Sequence, residues 1–319
     1  MSLRDDVLRG LAQPQKSIPS KYLYDAEGSR LFDRITTLDA YYPTRTERAI
    51  LTEHLDAIAD EIGENAVLIE YGSGSSDKTR LLLDRLTADG ALAAYVPIDI
   101  SGEHLAETAA RLRRAYPGLP VLPVDADYTR PFDLPELPAG SRRVVFFPGS
   151  TIGNFTADET RVFFEQAAGV AGPGGGLLIG ADQRKDPAVL DRAYDDEEGV
   201  SVAFNLNLLA RLNRELGADF DLDAWDHVAH WNPTASRMEM YLVSLREQRV
   251  CVAGRGVTFG AGETIHTEIS TKYGPQDLAD LALSAGWRRT HRWTDPRGWF
   301  AVEAFRQADG KAKRGAGAV

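Results

Sequence analysis

From Ala66 onward, short apolar runs alternate with longer amphipathic stretches. The runs cover 66–71, 94–98, 120–124, 143–148 and 176–181. Each is bounded by turn residues, as buried parallel strands are. Helical periodicity fills the gaps at 77–88, 102–115 and 156–171, and the alternation predicts a doubly wound α/β sheet. Ahead of it, 5–12 and 44–62 read as helices. Between them, the stretch from Ser17 to Pro43 groups Tyr22, Tyr24, Tyr41 and Tyr42. The rhythm breaks after Asp182. Residues 186–230 read as mostly helical, and 236–247, 249–259 and 263–272 as antiparallel strands. A helix over 275–286 and two strands over 287–306, turning at Asp295-Pro-Arg-Gly298, close the pattern. The expected organisation is a helical segment over 1–60 that joins a second lobe, and a doubly wound domain over 61–185 and 286–307. The second lobe is inserted over 186–285, and a disordered tail follows over 308–319.

Charge and composition narrow the classes. The hydrophobic fraction is 43%, and no apolar run approaches the ~20 residues of a membrane span. The start, Met1-Ser-Leu-Arg-Asp-Asp6, has no apolar signal region, and the single cysteine, Cys251, excludes an internal disulfide. A cytoplasmic, monomeric protein with no membrane partner is expected. Net charge of −11 argues against nucleic acid, whose binding rests on clustered Lys and Arg. The one basic cluster lies in the tail, at Lys311, Lys313 and Arg314.

The chemistry gathers at strand ends. Val67 to Tyr71 runs into a turn carrying Gly72 and Gly74, with Glu70 at the strand's end. The next strand ends in Asp99, placed to hold ribose hydroxyls. Asp127 and Asp182 stand after later strands. Together they describe a nucleoside-binding domain, although a tight strand-to-helix turn alone also asks for glycine. A nicotinamide fingerprint fails, because Asp77 stands where its third glycine belongs, and no Walker lysine follows a glycine run. Gly149-Ser-Thr-Ile-Gly-Asn154 exposes amides, hydroxyls and a side-chain amide. Asn154, both donor and acceptor, suits an α-amino and a carboxylate group together. The alternative is an asparagine in the left-handed region, or one capping the helix that starts near Thr156. His227 and His230, three apart on an expected helix, find no third ligand, and Asp219-Phe-Asp-Leu-Asp223 lacks the glycine and closing Glu of a calcium loop. No metal is expected.

Several uncommon strings are now on the page together. They include Lys21-Tyr-Leu-Tyr-Asp-Ala-Glu-Gly-Ser29, Tyr41-Tyr-Pro-Thr-Arg-Thr-Glu47, Gly72-Ser-Gly-Ser-Ser-Asp-Lys-Thr79 and Gly149-Ser-Thr-Ile-Gly-Asn154. Ala193-Tyr-Asp-Asp196, Phe204-Asn-Leu-Asn207, Asp219-Phe-Asp-Leu-Asp223 and Thr267-Glu-Ile-Ser270 complete the set. From Lys16 to about Phe305 the chain resembles the ergothioneine-pathway histidine Nα-methyltransferases. These S-adenosylmethionine-dependent enzymes convert L-histidine to its trimethylated betaine, hercynine. The resemblance implies a Rossmann-like class I methyltransferase domain with an added substrate-binding lobe. It implies that Gly72, Lys78, Asp99, Asp127 and Tyr128 hold S-adenosylmethionine. It places the substrate, L-histidine, on Tyr24, Tyr41, Gly149, Asn154, Tyr194, Met240, Glu268 and Ser270. Asn154 would hold the α-amino and carboxylate groups, with Tyr24 and Tyr194 on the carboxylate. Glu268 and Ser270 would take the imidazole nitrogens, and Met240 the ring face. Tyr71 and Ser75-Ser76 depart from the pattern within the cofactor loop.

On that resemblance, catalysis is positioning for an in-line displacement, with Tyr41 and Asn154 as the catalytic residues and Tyr41 or solvent taking the proton. Aromatic faces suit the growing cation. Two alternatives stand beside it. One is a methyltransferase of the same architecture for tryptophan or tyrosine, against which Glu268 and Met240 argue. The other is a non-catalytic small-molecule binding protein.

Overall fold

The computed structural model describes residues 2–74 and 77–308. The basic tail and Ser75-Ser76 lie outside the described residues. Strands are numbered along the chain: β1 Lys16–Ser17, β2 Ala66–Tyr71, β3 Leu92–Asp99, β4 Val124–Asp125, β5 Arg142–Phe147, β6 Gly176–Asp182, β7 Trp225–Asn232, β8 Arg237–Ser244, β9 Gln248–Val252, β10 Arg255–Phe259, β11 Thr264–Thr271, β12 Trp287–Thr294 and β13 Phe300–Gln307. Two compact units result. One is built from Met1–Tyr42 and Arg184–Lys272, the other from Pro43–Gln183 and Tyr273–Val319.

The joins thus fall at 42, 183 and 272 rather than at 60, 185 and 285, for a packing reason. Helices Tyr42–Glu53 and Leu55–Ile62 bury Ile50, Leu51, Ile58 and Ile62 in a core of the large sheet. The helix Asp277–Leu283 buries Leu278 and Ala282 in the core on that sheet's other face.

In the larger unit the sheet order is β12-β13-β6-β5-β2-β3-β4. The run from β6 to β4 is parallel, and β13 lies antiparallel between β6 and β12. Period-two alternation sends Val67, Ile69 and Tyr71 to one core and Ala66 and Leu68 to the other. Both faces are covered, which is why these strands read as continuous apolar runs. Each buried aliphatic side chain contributes roughly 2 kcal/mol of transfer free energy. The expected strand at 120–124 shrinks to β4 and an isolated bridge from Val121 to Tyr95. Pro120 and Pro123 remove ladder donors there. The order reverses at β2, flanked by β5 and β3, so the ligand crevice of such a sheet lies at their carboxyl ends.

The smaller unit holds a four-stranded sheet, β1-β11-β8-β7, and a β9–β10 hairpin. The segment 249–259, expected as one strand, folds back at Ala253 and Gly254, both at positive φ as a tight primed turn requires. Residues 225–230, the end of the stretch expected as helix, belong to β7. Trp225, His227, Ala229 and Trp231 alternate inward, and helices Pro187–Tyr194 and Val200–Leu216 pack on β7 and β8. Asp25 caps the helix Ala26–Ile35 and accepts from Asn207 Nδ2 at 2.8 Å, tying the N-terminal segment to this unit. Among the described residues no helix is long and apolar enough to cross a membrane.

Candidate active site

In the larger unit the expected residues collect where β2, β3 and β5 end. Gly72 has φ +69°, a conformation glycine adopts without strain, and its backbone lies beside the Tyr128 ring. Tyr128 stacks on Tyr71, centroids 5.4 Å apart. Tyr71, one of the departures, turns away from the loop into Phe132, Phe147 and Phe163. Asp99 accepts from the Gly74 and Ser101 amides at 3.3 and 2.9 Å, which hold its carboxylate at the strand's end. Asp127 accepts from the Thr129 amide at 3.1 Å and pairs with Arg130 at 3.6 Å.

Gly149 and Lys78 are joined by a residue not singled out from sequence. Glu47, 0% exposed, pairs with Lys78 and accepts the Gly149 amide at 2.9–3.0 Å. Its carboxylate lies against Gly180, where a Cβ would stand 2.0 Å from Oε1. After Gly149 the chain turns at Ser150, φ +60°, into the short 3-10 helix Thr151–Asn154. Asn154 is outside the left-handed region, and the next helix is capped by Thr156 in a capping box with Glu159. Both structural duties considered for Asn154 are therefore absent. Glu70 corrects an expectation. It faces the core, 2% exposed, and takes the hydroxyls of Thr79 (2.7 Å) and Tyr95. Burial pushes its carboxyl up to about 7, against those bonds and the Lys78 ammonium.

The smaller unit brings Tyr24, Tyr41, Tyr194, Met240, Glu268 and Ser270 together. The device is a β-bulge between His266 and Glu268. In an unbroken ladder Thr267 would pair with Met240, and Glu268 would turn outward opposite Glu239. The extra residue instead sets Glu268 opposite Met240 and Ser270 opposite Met238, on the helix-facing side. Thr267 donates its hydroxyl to the Met240 carbonyl at 3.1 Å and pins that register. Glu268 and Ser270 are 8% and 5% exposed. Burial raises the Glu268 carboxyl to about 7, opposed by Lys272 and by the Tyr24 hydroxyl 3.5 Å away. Tyr24, Phe32, Tyr41, Tyr194 and Phe204 pack edge-on or tilted, with centroids 5.4–6.4 Å apart.

Tyr194 is held at both ends. Its hydroxyl bonds Ser270 Oγ at 2.7 Å and receives Lys272 Nζ at 2.7 Å. Its carbonyl meets His227 Nε2 at 3.0 Å. Asn205 Nδ2 faces His227 Nδ1 at 2.9 Å, so Nδ1 accepts and Nε2–H donates to the carbonyl. Burial lowers the His227 pKa and keeps this ring neutral. His230 lies on the opposite face of β7 beside Tyr241, because residues three apart on a strand diverge. The helical spacing expected for the two histidines is thus wrong. Among the described residues no group of His, Cys, Asp or Glu is placed to hold a metal. The acidic string from Asp219 is structural: Asp219 accepts the Cys251 amide and Asp221 pairs with Arg246.

A doubly wound sheet with antiparallel β13 between β6 and β12, a glycine turn after β2 and an acidic residue ending β3 has the Rossmann-like form of a nucleoside-binding domain, and the comparisons make that domain a methyltransferase's. The sequence profile of the histidine-specific, SAM-dependent methyltransferases matches residues 3–307. The histidine N-alpha-methyltransferase of Mycobacterium tuberculosis is 45% identical over 304 residues, which cover 95% of this chain and 94% of that one. Its namesake in Mycolicibacterium smegmatis is 45% identical over 303 residues, 94% of each chain. Ergothioneine biosynthesis protein 1 of Neurospora crassa is 30% identical over 284 residues, covering 88% of this chain and 32% of that protein. This chain belongs to the histidine-specific, S-adenosylmethionine-dependent methyltransferase family.

Proposed function

We propose that the protein trimethylates the α-amine of L-histidine, forming hercynine as the first step of ergothioneine biosynthesis. One observation carries the reading to this chain: the bulge in β11 places a buried carboxylate and a buried hydroxyl, Glu268 and Ser270, on one face beside Met240. A carboxylate in such a place rewards an imidazole N–H with a charge-assisted bond that an amino acid without one cannot offer. That contrast favours histidine over tryptophan and tyrosine.

When bound, S-adenosylmethionine would supply a methyl group on its sulfonium for in-line displacement of the sulfide by the neutral amine; the first two transfers each release a proton, and the third leaves a quaternary ammonium with none to release. The open backbone at Gly72 and the carboxylate of Asp99 suit its methionyl and ribose parts, with Asp127, Tyr128 and Lys78 around them. Lys78 is held by Glu47, which also fixes the Gly149 amide. Asn154, released from capping and left-handed duty, is assigned to the amino and carboxylate groups. Tyr24 is assigned to the carboxylate, and Tyr41 to the amine and its departing proton; Tyr194, expected on the carboxylate, already gives its hydroxyl hydrogen to Ser270 and braces the imidazole end instead. The aromatic set around Tyr41 provides ring faces for a cation that grows with each methyl.

The purified protein would be incubated with S-adenosylmethionine and an equimolar mixture of the standard amino acids, with products read by mass spectrometry. Histidine heavier by three methyl groups is the expected product. Methylation of a different amino acid, or none with the cofactor bound, would overturn the assignment.

A further inference from the structure

Lys272 follows β11 directly and is 1% exposed. Its ammonium donates to Tyr194 Oη at 2.7 Å and to Ser270 Oγ at 2.8 Å, and those two oxygens lie 2.7 Å apart. Three polar groups therefore close a triangle, and the direction of each bond follows from chemistry. An ammonium can only donate. A phenol is the more acidic hydroxyl and the poorer acceptor, so Tyr194 donates to the serine rather than the reverse. Ser270 Oγ then receives two hydrogens, one from Lys272 and one from Tyr194, which fills both lone pairs. The single bond left to it is one that it donates.

Two residues back on the same face stands Glu268, which when ionised can only accept. An acceptor beside an obligatory donor is the complement of a neutral imidazole, which carries one N–H and one bare nitrogen. Imidazolium carries N–H at both positions, so it would set a hydrogen against the Ser270 hydrogen. It would also bring a positive charge toward the Lys272 ammonium, in a buried place where charges are poorly screened. We propose that Lys272 is a positioning residue that fixes Ser270 as a donor, so that Glu268 and Ser270 select the neutral imidazole and reject imidazolium. The inference rests on the assignment of this unit's polar face to the histidine ring. Lys272 also opposes the upward push of burial on Glu268, which favours the ionised, accepting form.

The test compares histidine with β-(1,2,4-triazol-3-yl)alanine, whose ring offers the same N–H and bare nitrogen but stays neutral across the working range. Titrations of the enzyme act on both substrates and cancel in the ratio of their kcat/KM values. In the native protein that ratio should fall about tenfold per pH unit below the imidazole pKa of about 6.5. A ratio independent of pH would mean that imidazolium is accepted, and the inference fails. In Lys272→Met the ratio should flatten. The role of Lys272 is checked separately by a double-mutant cycle. Ser270→Ala should raise the KM for histidine about tenfold in the native background and less than about twofold in Lys272→Met, as coupled partners behave. Equal losses in both backgrounds would sink it. Calorimetric binding of S-adenosylmethionine reports folding of each variant, and the native ratio stands whether or not Lys272→Met folds. Absence of any histidine product at any pH would instead overturn the assignment of substrate.

Discussion

Glu70 and Glu268 are alike when taken one residue at a time. Each is a buried carboxylate on a strand, and burial pushes each to about 7. Their neighbours separate them. Glu70 faces a hydrocarbon core and takes two hydroxyls of its own unit, Thr79 and Tyr95, at hydrogen-bond contact. Glu268 has the Tyr24 hydroxyl at 3.5 Å, a methionine across the ladder, and a serine and a lysine along the same face. The first arrangement stabilises a carboxylate that the fold has already enclosed. The second arranges donors and acceptors around a shape. A raised pKa therefore marks burial, and the polarity of the surrounding groups tells structure from chemistry.

The contrast can be broken by experiment. Glu268→Ala should lower kcat/KM for histidine about 10³-fold while leaving the Kd of S-adenosylmethionine within about twofold, measured by kinetics and calorimetry. Comparable losses in both would erase the distinction. Glu70 should be visible in stability instead. Its folded pKa of about 7 lies above the ordinary 4.5, so the native state binds more protons between those values. Its contribution is complete below about 4.5 and is lost as pH rises through about 7, an effect of roughly 3 kcal/mol. Denaturant unfolding of Glu70→Gln on either side of that window should show this share of the slope gone, and an unchanged slope would contradict the burial argument. The smallest effect is expected for Thr79→Val, which removes one of Glu70's donors. It should cost about 1–2 kcal/mol in unfolding free energy with no change in the KM for histidine. A shift in that KM would move Glu70 into the chemistry.

Most of the larger unit was legible because its strands are covered on both faces and punctuated by turns. The residues around Gly72 and Asp99 follow from strand ends alone. Glu47 was not legible as a site residue, since nothing local says that it meets Gly149 and Lys78, which lie far along the chain. Its faint trace is Gly180, a glycine inside a strand where a carboxylate needs the room. Lys272 did leave a signal. Glu268, Ser270 and Lys272 recur at a spacing of two, which on a strand makes one polar face. The same spacing in Trp225, His227, Ala229 and Trp231 marks β7, and reading that segment at helical spacing joined two histidines that the strand sends apart.

The bulge at Thr267 separates being folded from being competent. A chain that closed β11 on β8 without it would pair Thr267 with Met240 and keep its strands. It would offer Ile269 and Thr271 to the helices where Glu268's neighbours now stand. Such a molecule would pass most tests of secondary structure and, on the proposed assignment, recognise no imidazole. On that assignment the active fraction of a preparation would count the molecules in correct register, which the Thr267 hydroxyl on the Met240 carbonyl helps to hold.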